Sequence, residues 1–338
     1  MKQIAAFSLF AVLLAFALPL LLYLPGRSAP ADTPQASPAP DVSPSPAPTA
    51  AAQAVLDASI ALEVQTDAGT AAMSMADYLP LALAGEMPAS FEPEALKAQA
   101  VALRSYALYY RANRKAVHPE ADVCSSAGCC AALAEESALR SAWGAQYESY
   151  RQKLADAVAA TDGQYLVWED APALTVFHAS SAGRTEDGAA LGMALGYLVS
   201  VDTPETGEAV RNLYSTVEVA SGEFAAAVRS VAPEALLEGD PGAWLGPVSL
   251  GPSGRVQSVQ LGGTAVSALA LRQLFALRST DFTLSWNGEH FVFRVRGYGH
   301  GLGMSQYGAQ LMAGAGADYT EILQHYYPGT TLVMALAE

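Results

Sequence analysis

Alternating apolar and polar positions predict short strands over residues 56–65 and 70–75, and the apolar stretch from Ala76 to Gly85 has helical length. A long helix is predicted next. Pro93 stands where a first-turn proline belongs and Glu92 and Glu94 suit the positive end of a helix dipole, while Arg111, Arg114 and Lys115 suit its other end. Within it Leu96, Ala100, Leu103, Ala107 and Tyr110 recur at spacings of three and four and form a buried stripe, leaving Lys97 and Arg104, seven apart, on another face. Glu148 to Ala160 reads as a further helix stopped by Gly163. Strands are predicted at Gln164–Trp168 and Leu174–His178, with Tyr197–Val201 a candidate third. Val248–Leu261 and Phe282–Val295 read as β-hairpins, the second turning at Asn287-Gly288, and between them Ser267 caps a helix running to about Leu277. Strands and helices follow one another without a regular βαβ alternation, so the expected class is α+β, with mixed helices and short antiparallel strands in a single domain.

That domain is expected to span residues 53–338. Before it, Ile4 to Leu24 is an uncharged apolar run of the length that crosses a bilayer, so residues 1–27 are read as a membrane anchor. A cleaved signal peptide is the alternative, with Ala29-Pro30-Ala31 as a small-residue cleavage site. Residues 28–52 are rich in Pro, Ala and Ser, and proline biases such a linker to an extended polyproline form. Either leader places the domain outside the cytoplasm, against ATP and nicotinamide chemistry, and no phosphate-cradling glycine motif is present.

The charge balance removes another class. Lys and Arg total 18 against 33 Asp and Glu, a net charge of −15, so the chain lacks the basic footprint of a nucleic-acid binder. With 51% hydrophobic residues it is not disordered throughout, and 3 cysteines are too few for a disulfide-built scaffold.

Three segments crowd polar groups among small residues. In Gly85-Glu86-Met87-Pro88, Glu86 ends a run with no other charge after Asp77, which sets its carboxyl at the edge of an apolar wall. Such an environment raises a carboxyl pKa and suits a general acid; a water-exposed helix-end glutamate is the plainer reading. Phe177 to Thr185 leaves a strand into a hydroxyl-rich loop containing Ser180 and Ser181 that suits sugar recognition, or simply caps itself. In Arg296 to Ala309, glycines at 297, 299, 301 and 303 leave bare backbone around His300, followed by a helix presenting Ser305, Gln306 and Tyr307. A serine-hydrolase triad could draw on Ser180, Ser181, His178 and His300, but no Gly-x-Ser-x-Gly elbow supports it. No carboxylate pair is evident, and Asp202 lies after a strand without a mate. His118, Cys124, Cys129 and Cys130 supply four ligands within HPEADVCSSAGCC, a set that fits zinc. A disulfide from Cys124 to Cys129 or Cys130 is the alternative.

Taken together, GEMPA at 85–89, EPEALKAQAVALRSYAL at 92–108, the loop 180–185, YLVSVDTP at 197–204 and GYGHGLGMSQYGAQ at 297–310 resemble the stage II sporulation protein D family, with its amidase-enhancer relatives. The resemblance implies a membrane-anchored, extracytoplasmic lytic transglycosylase that cleaves peptidoglycan glycan strands during septal wall remodelling and engulfment. Its partners would be a cell-wall amidase/endopeptidase and a polytopic membrane protein. It makes Glu86 the catalytic acid and places Arg104, Ser180, Ser181, Tyr298, His300, Ser305, Gln306 and Tyr307 in or around the glycan cleft. It also implies a structural zinc near the cysteines; where some members carry a histidine beside the last cysteine, this chain has Cys129. A non-catalytic glycan-binding module that stimulates a partner amidase is the alternative function.

Overall fold

The structure, a computed structural model, describes residues 56–335. The anchor and the linker expected at residues 1–52 lie outside the described residues. Among those described, no helix is long and apolar enough to cross a membrane.

The α+β expectation holds, and among the described residues the buried apolar side chains gather into two clusters. The first lobe begins with a helical turn α1 (Leu56–Ser59), a hairpin of β1 (Ala61–Thr66) and β2 (Gly69–Ser74), then α2 (Met75–Glu86) and α3 (Pro93–Ala112). The first four residues of the predicted 56–65 strand are therefore helical. β3 (Val123–Cys124) adds to β1 in parallel. Next come α4 (Glu136–Trp143), α5 (Tyr147–Ala159), β4 (Gln164–Trp168), β5 (Ala171–Pro172) and β6 (Phe177–His178). The predicted strand 174–178 is thus reduced to two residues. Residues 197–201 form no strand, and instead Thr185 N–H bonds the Val201 carbonyl at 2.9 Å across an irregular crossing.

The second lobe contains β7 (Tyr214–Ala220), α6 (Ser221–Arg229), β8 (Leu245–Leu250), β9 (Val256–Leu261), β10 (Thr264–Ser267), α7 (Ala268–Leu274), β11 (Phe282–Trp286) and β12 (His290–Arg296). Its two sheets run β10-β9-β8 and β11-β12-β7, both antiparallel, and both predicted hairpins are present. Phe224 of α6 stacks on Phe291 of β12, with the Phe293 ring tilted beside it. The chain then returns to the first lobe as β13 (Met304–Ser305), α8 (Gln306–Gly314), α9 (Tyr319–Tyr326) and β14 (Thr331–Met334). β13 pairs with β6 and β14 with β4, closing the first lobe with residues far apart in sequence.

α3 is the axis of the first lobe. Its buried side extends well beyond the predicted stripe, since Ala95, Ala98, Gln99, Ala102, Arg104 and Ser105 are buried as well. The small residues that dominate this helix let α2, α5, α8, α9 and β4 approach it from all sides. Burying one Leu such as Leu103 contributes about 1.5–3 kcal/mol, and small neighbours make that packing close.

Encirclement also decides the fate of Arg104. It does not reach a cleft: it is fully buried and forms a two-point ion pair with Asp57, Nε to Oδ1 at 2.7 Å and Nη2 to Oδ2 at 2.6 Å. Its Nη1 donates to the Gln164 carbonyl at 2.7 Å. Lys97, on the same predicted face, is partly exposed and pairs with Glu94 at 2.6 Å.

Candidate active site

Glu86 is the last residue of α2, and its half-buried side chain turns toward residues 129–134. The helix is capped at its start by Ser74, whose Oγ accepts from Asp77 N–H, and residues 129–134 dock against its end. Within that segment Ala132 N–H donates to Glu86 Oε1 at 2.5 Å, and Ala134 N–H donates to the Leu81 carbonyl at 3.1 Å. Gly85 is needed for this approach, because a Cβ there would lie 2.5 Å from the Ala132 oxygen. Burial raises the Glu86 pKa, and the Ala132 N–H and the Gln306 side chain oppose the rise only in part. Gln306 faces the carboxyl without closing a hydrogen bond of ordinary geometry, its buried Nε2 making none. The rise comes from burial and not from a neighbouring carboxylate, and the Glu86 charge acts in turn on Tyr78. A carboxyl of this kind holds its proton toward neutral pH and can release it to a substrate oxygen.

The glycine motif approaches the same place through α8. Gln306 and Tyr307 open that helix, and the Tyr307 ring meets Phe91 edge-on with centroids 5.2 Å apart, so the turn following Glu86 packs on the start of α8. Glu92 N–H also donates to Gln310 Oε1 at 2.6 Å. The glycines allow the approach: at Gly303, with φ +63°, a Cβ would sit 2.0 Å from the Val176 oxygen. Gly303→Ala is expected to destabilise the protein by at least about 1–2 kcal/mol from the left-handed backbone alone, before the clash is counted. A denaturant midpoint unchanged by the substitution would refute this reading of the motif.

Ser180 and Ser305 are buried, and both hydroxyls donate to the buried carboxylate of Glu205, which also accepts from Ala182 N–H at 2.9 Å. Their one proton each is thereby committed. Ser305 also caps α8, accepting from Gly308 N–H at 3.3 Å. Glu205 was missed in the sequence although it stands three residues beyond Asp202, the acid that drew notice there. Asp202 itself is exposed and pairs with Arg184 at 3.3 Å.

Ser181 is buried and bonded to His178 Nε2, whose Nδ1–H donates to the Leu302 carbonyl at 2.9 Å. This is a serine–histidine pair with a backbone carbonyl in third place, and Ser181 has no access to a substrate. Burial pushes His178 well below its usual pKa, with His300 and Arg255 adding to the effect, and takes His300 down to about 4 with help from Arg272. Both imidazoles are neutral at physiological pH. His300 and Tyr298 are half-buried, and the Arg278 guanidinium lies 5.5 Å from the Tyr298 ring centroid. Arg255 from the second lobe enters beneath this loop, bonding the Ser181 carbonyl at 3.0 Å.

Thus Glu86, Gln306 and Tyr307 come together, Tyr298 and His300 occupy the neighbouring glycine loop, and Ser180, Ser181 and Ser305 brace it from within. Arg104 is apart from them.

The cysteine segment converges on its own centre. One ligand atom from each of His118, Cys124, Cys129 and Cys130 lies within 4.8 Å of every other. His118 Nδ1–H donates to the Ala121 carbonyl at 3.0 Å, which leaves Nε2 as the free lone pair, 3.4 Å from Cys130 Sγ. The three thiols are unbridged. Fixing the imidazole tautomer by a carbonyl behind it is the usual support for a metal-binding histidine.

The SpoIID family model, described as Stage II sporulation protein, matches residues 63–168, the stretch holding Glu86 and the cysteine cluster. The chain is 32% identical over 259 residues to Stage II sporulation protein D of Bacillus subtilis (strain 168), covering 76% of this chain and 73% of the relative. It is 31% identical over 260 residues to the Bacillus amyloliquefaciens protein of that name, with coverage of 76% and 73%. A shorter match, 51% over 55 residues, covers 16% of this chain and 8% of the Amidase enhancer of Bacillus subtilis (strain 168). Similarity at this identity over about three quarters of both partners, with the family model falling on the segment that carries Glu86, makes the chain a member of the Stage II sporulation protein D family.

Proposed function

We propose that this chain is a lytic transglycosylase acting on peptidoglycan glycan strands, with Glu86 as both acid and base. The observation that carries the reading is a desolvated carboxyl, braced by Ala132 N–H, whose pKa is raised by burial and not by a neighbouring carboxylate. A glycosidase that uses water ordinarily needs two carboxyl groups, whereas attack by a hydroxyl of the substrate itself needs one. Protonated Glu86 would give its proton to the oxygen bridging N-acetylmuramic acid to N-acetylglucosamine as that bond breaks. The carboxylate left behind, still bonded to Ala132 N–H, would take the proton of the muramic C6 hydroxyl as that oxygen bonds to C1. The product is a 1,6-anhydro end and Glu86 is protonated again, so the cycle closes on one residue.

Mass spectrometry of products from glycan strands, with and without stem peptides, tests the proposal. Anhydro ends support it; reducing ends would mean hydrolysis and overturn it. The pH dependence has a definite sign. Free enzyme must carry the Glu86 proton, so kcat/KM is expected to hold in mild acid and fall as pH rises through the raised pKa, with no histidine limb near neutrality. A rate that climbs with pH across that range would contradict it.

The 55-residue match to an amidase enhancer favours a second reading, a glycan-binding module that stimulates an amidase without turnover of its own. Bound strands with no products at all would select it. With either activity, residues 4–24 are proposed to anchor the chain in the membrane with residues 53–338 outside the cytoplasm.

We propose zinc for the cysteine cluster, held by His118, Cys124, Cys129 and Cys130. The donor set fits: three thiols and an imidazole whose other nitrogen is already bonded. Four protein ligands leave no open position, so zinc there would clamp the loop and supply no chemistry to the glycan. Ala132 is two residues past Cys130, so the clamp would steady the N–H that holds Glu86. Stripping the metal with a chelator is expected to lower the Tm by several degrees and slow turnover together, both recovering on adding zinc. A Tm indifferent to chelator would refute the clamp.

A further inference from the structure

Lys115 follows the end of α3, where cations ordinarily serve the helix dipole, yet its ammonium turns back into the cysteine cluster. Its Nζ lies 3.5 Å from Cys130 Sγ and 4.0 Å from Cys129 Sγ. It also donates to Tyr106 Oη at 3.0 Å and to the Cys129 carbonyl. The Tyr110 ring lies under it, 4.3 Å from Nζ to centroid, with the Tyr106 ring 5.5 Å away. An ammonium has three N–H groups, and here the oxygens and sulfurs of one centre can take all of them. The nearby Arg114 is committed elsewhere, to Asp122 at 2.8 Å.

The charge count gives this geometry a purpose. Three thiolates and a neutral imidazole around a divalent ion sum to −1, and a half-buried net charge is costly unless compensated. One ammonium at sulfur-contact distance brings the sum to zero. We infer that Lys115 is the counter-cation of the His118–Cys124–Cys129–Cys130 centre, a positioning residue that donates to its sulfurs and carbonyl and sets its affinity for a divalent soft metal without ligating it. The inference rests on the proposal that the cluster binds metal, and the experiment separates the two.

The full-length chain, stripped of metal, is titrated with Zn²⁺ against a chromogenic chelator and with Co²⁺ while thiolate charge-transfer absorption is followed. Wild type is compared with Lys115→Met, Lys115→Arg and, as a ligand-loss control, Cys124→Ser. Lys115→Met is expected to retain one-to-one binding and the charge-transfer band, with affinity about 10–100-fold weaker, the usual effect of losing an outer partner of a metal site. Lys115→Arg, which keeps the charge, should recover most of that loss. The Tm of each form adds a second readout. Because the compensated charge belongs to the metal-loaded centre, Lys115→Met should lower the metal-loaded Tm by more than the metal-free one. No binding by wild type overturns the metal site itself. Wild-type binding with an unchanged affinity in Lys115→Met overturns the role of Lys115, as does an equal drop in Tm with and without metal, which would mean packing alone.

Discussion

Glu86→Gln is expected to reduce formation of 1,6-anhydro ends by about 100-fold or more, the scale of general acid–base catalysis, while leaving strand binding nearly intact. Glutamine preserves the shape of the carboxyl and its oxygen can still accept from Ala132 N–H, so the positioning contact survives and only the transferable proton is lost. The same substitution should move stability in the opposite direction. A carboxyl whose pKa is raised by folding binds more protons folded than unfolded, so wild-type stability falls as pH rises from the ordinary carboxylate range to the raised value. The variant has no such loss. Its Tm is expected to exceed that of wild type at neutral pH and to converge with it in acid. Turnover retained by Glu86→Gln would remove the acid from its assigned role, and a variant Tm that stays below wild type at every pH would remove the burial argument.

Breaking the Arg104–Asp57 pair is expected to have the largest effect on stability of any single change considered. Both side chains are almost wholly buried and joined by two hydrogen bonds of 2.6–2.7 Å. Asp57→Ala leaves a guanidinium in the core with only the Gln164 carbonyl still accepting, a situation that costs about 3–5 kcal/mol. Asp57 Oδ1 also accepts from Gly163 N–H at 3.3 Å, so the same change loosens the start of β4. Replacing both partners with apolar residues, Asp57→Leu with Arg104→Met, should restore much of the loss, since no charge is left stranded. The measurement is denaturant unfolding of the two single variants and the double. A double variant no better than the sum of the singles would show that the pair matters for shape and not for charge balance.

Arg104 shows why part of the site could not be read from the sequence. Periodicity assigns faces to a helix, but whether a face meets water or another element depends on what the rest of the chain brings to it. Here α2, α5, α8 and α9 surround α3, and the partner of Arg104 lies 47 residues away in a turn with no motif to mark it. Glu205 is unmarked in the sequence for the same kind of reason. Only when β13 returns beside β6 do Ser180 and Ser305, 125 residues apart, share one carboxylate.

Local chemistry was legible where it is local. The apolar run ending in Glu86, the Pro93 start of α3, the Ser267 cap and the spacing of His118 with the cysteines are all written within a few residues of chain, and each is realised; the hairpin signalled by Asn287-Gly288 forms too, with its turn one residue on, at Gly288-Glu289. Class and candidate acid follow from such short-range terms, because helix starts, turns and desolvation by adjacent apolar residues need nothing from afar. Tertiary structure alone decided that the described residues form two cores, that the loop serines are internal braces, that Ala132 holds Glu86 and that Lys115 turns to the thiols. Those outcomes depend on long-range packing and on which charges and hydrogen bonds must be satisfied once water is excluded, and a linear pattern carries neither.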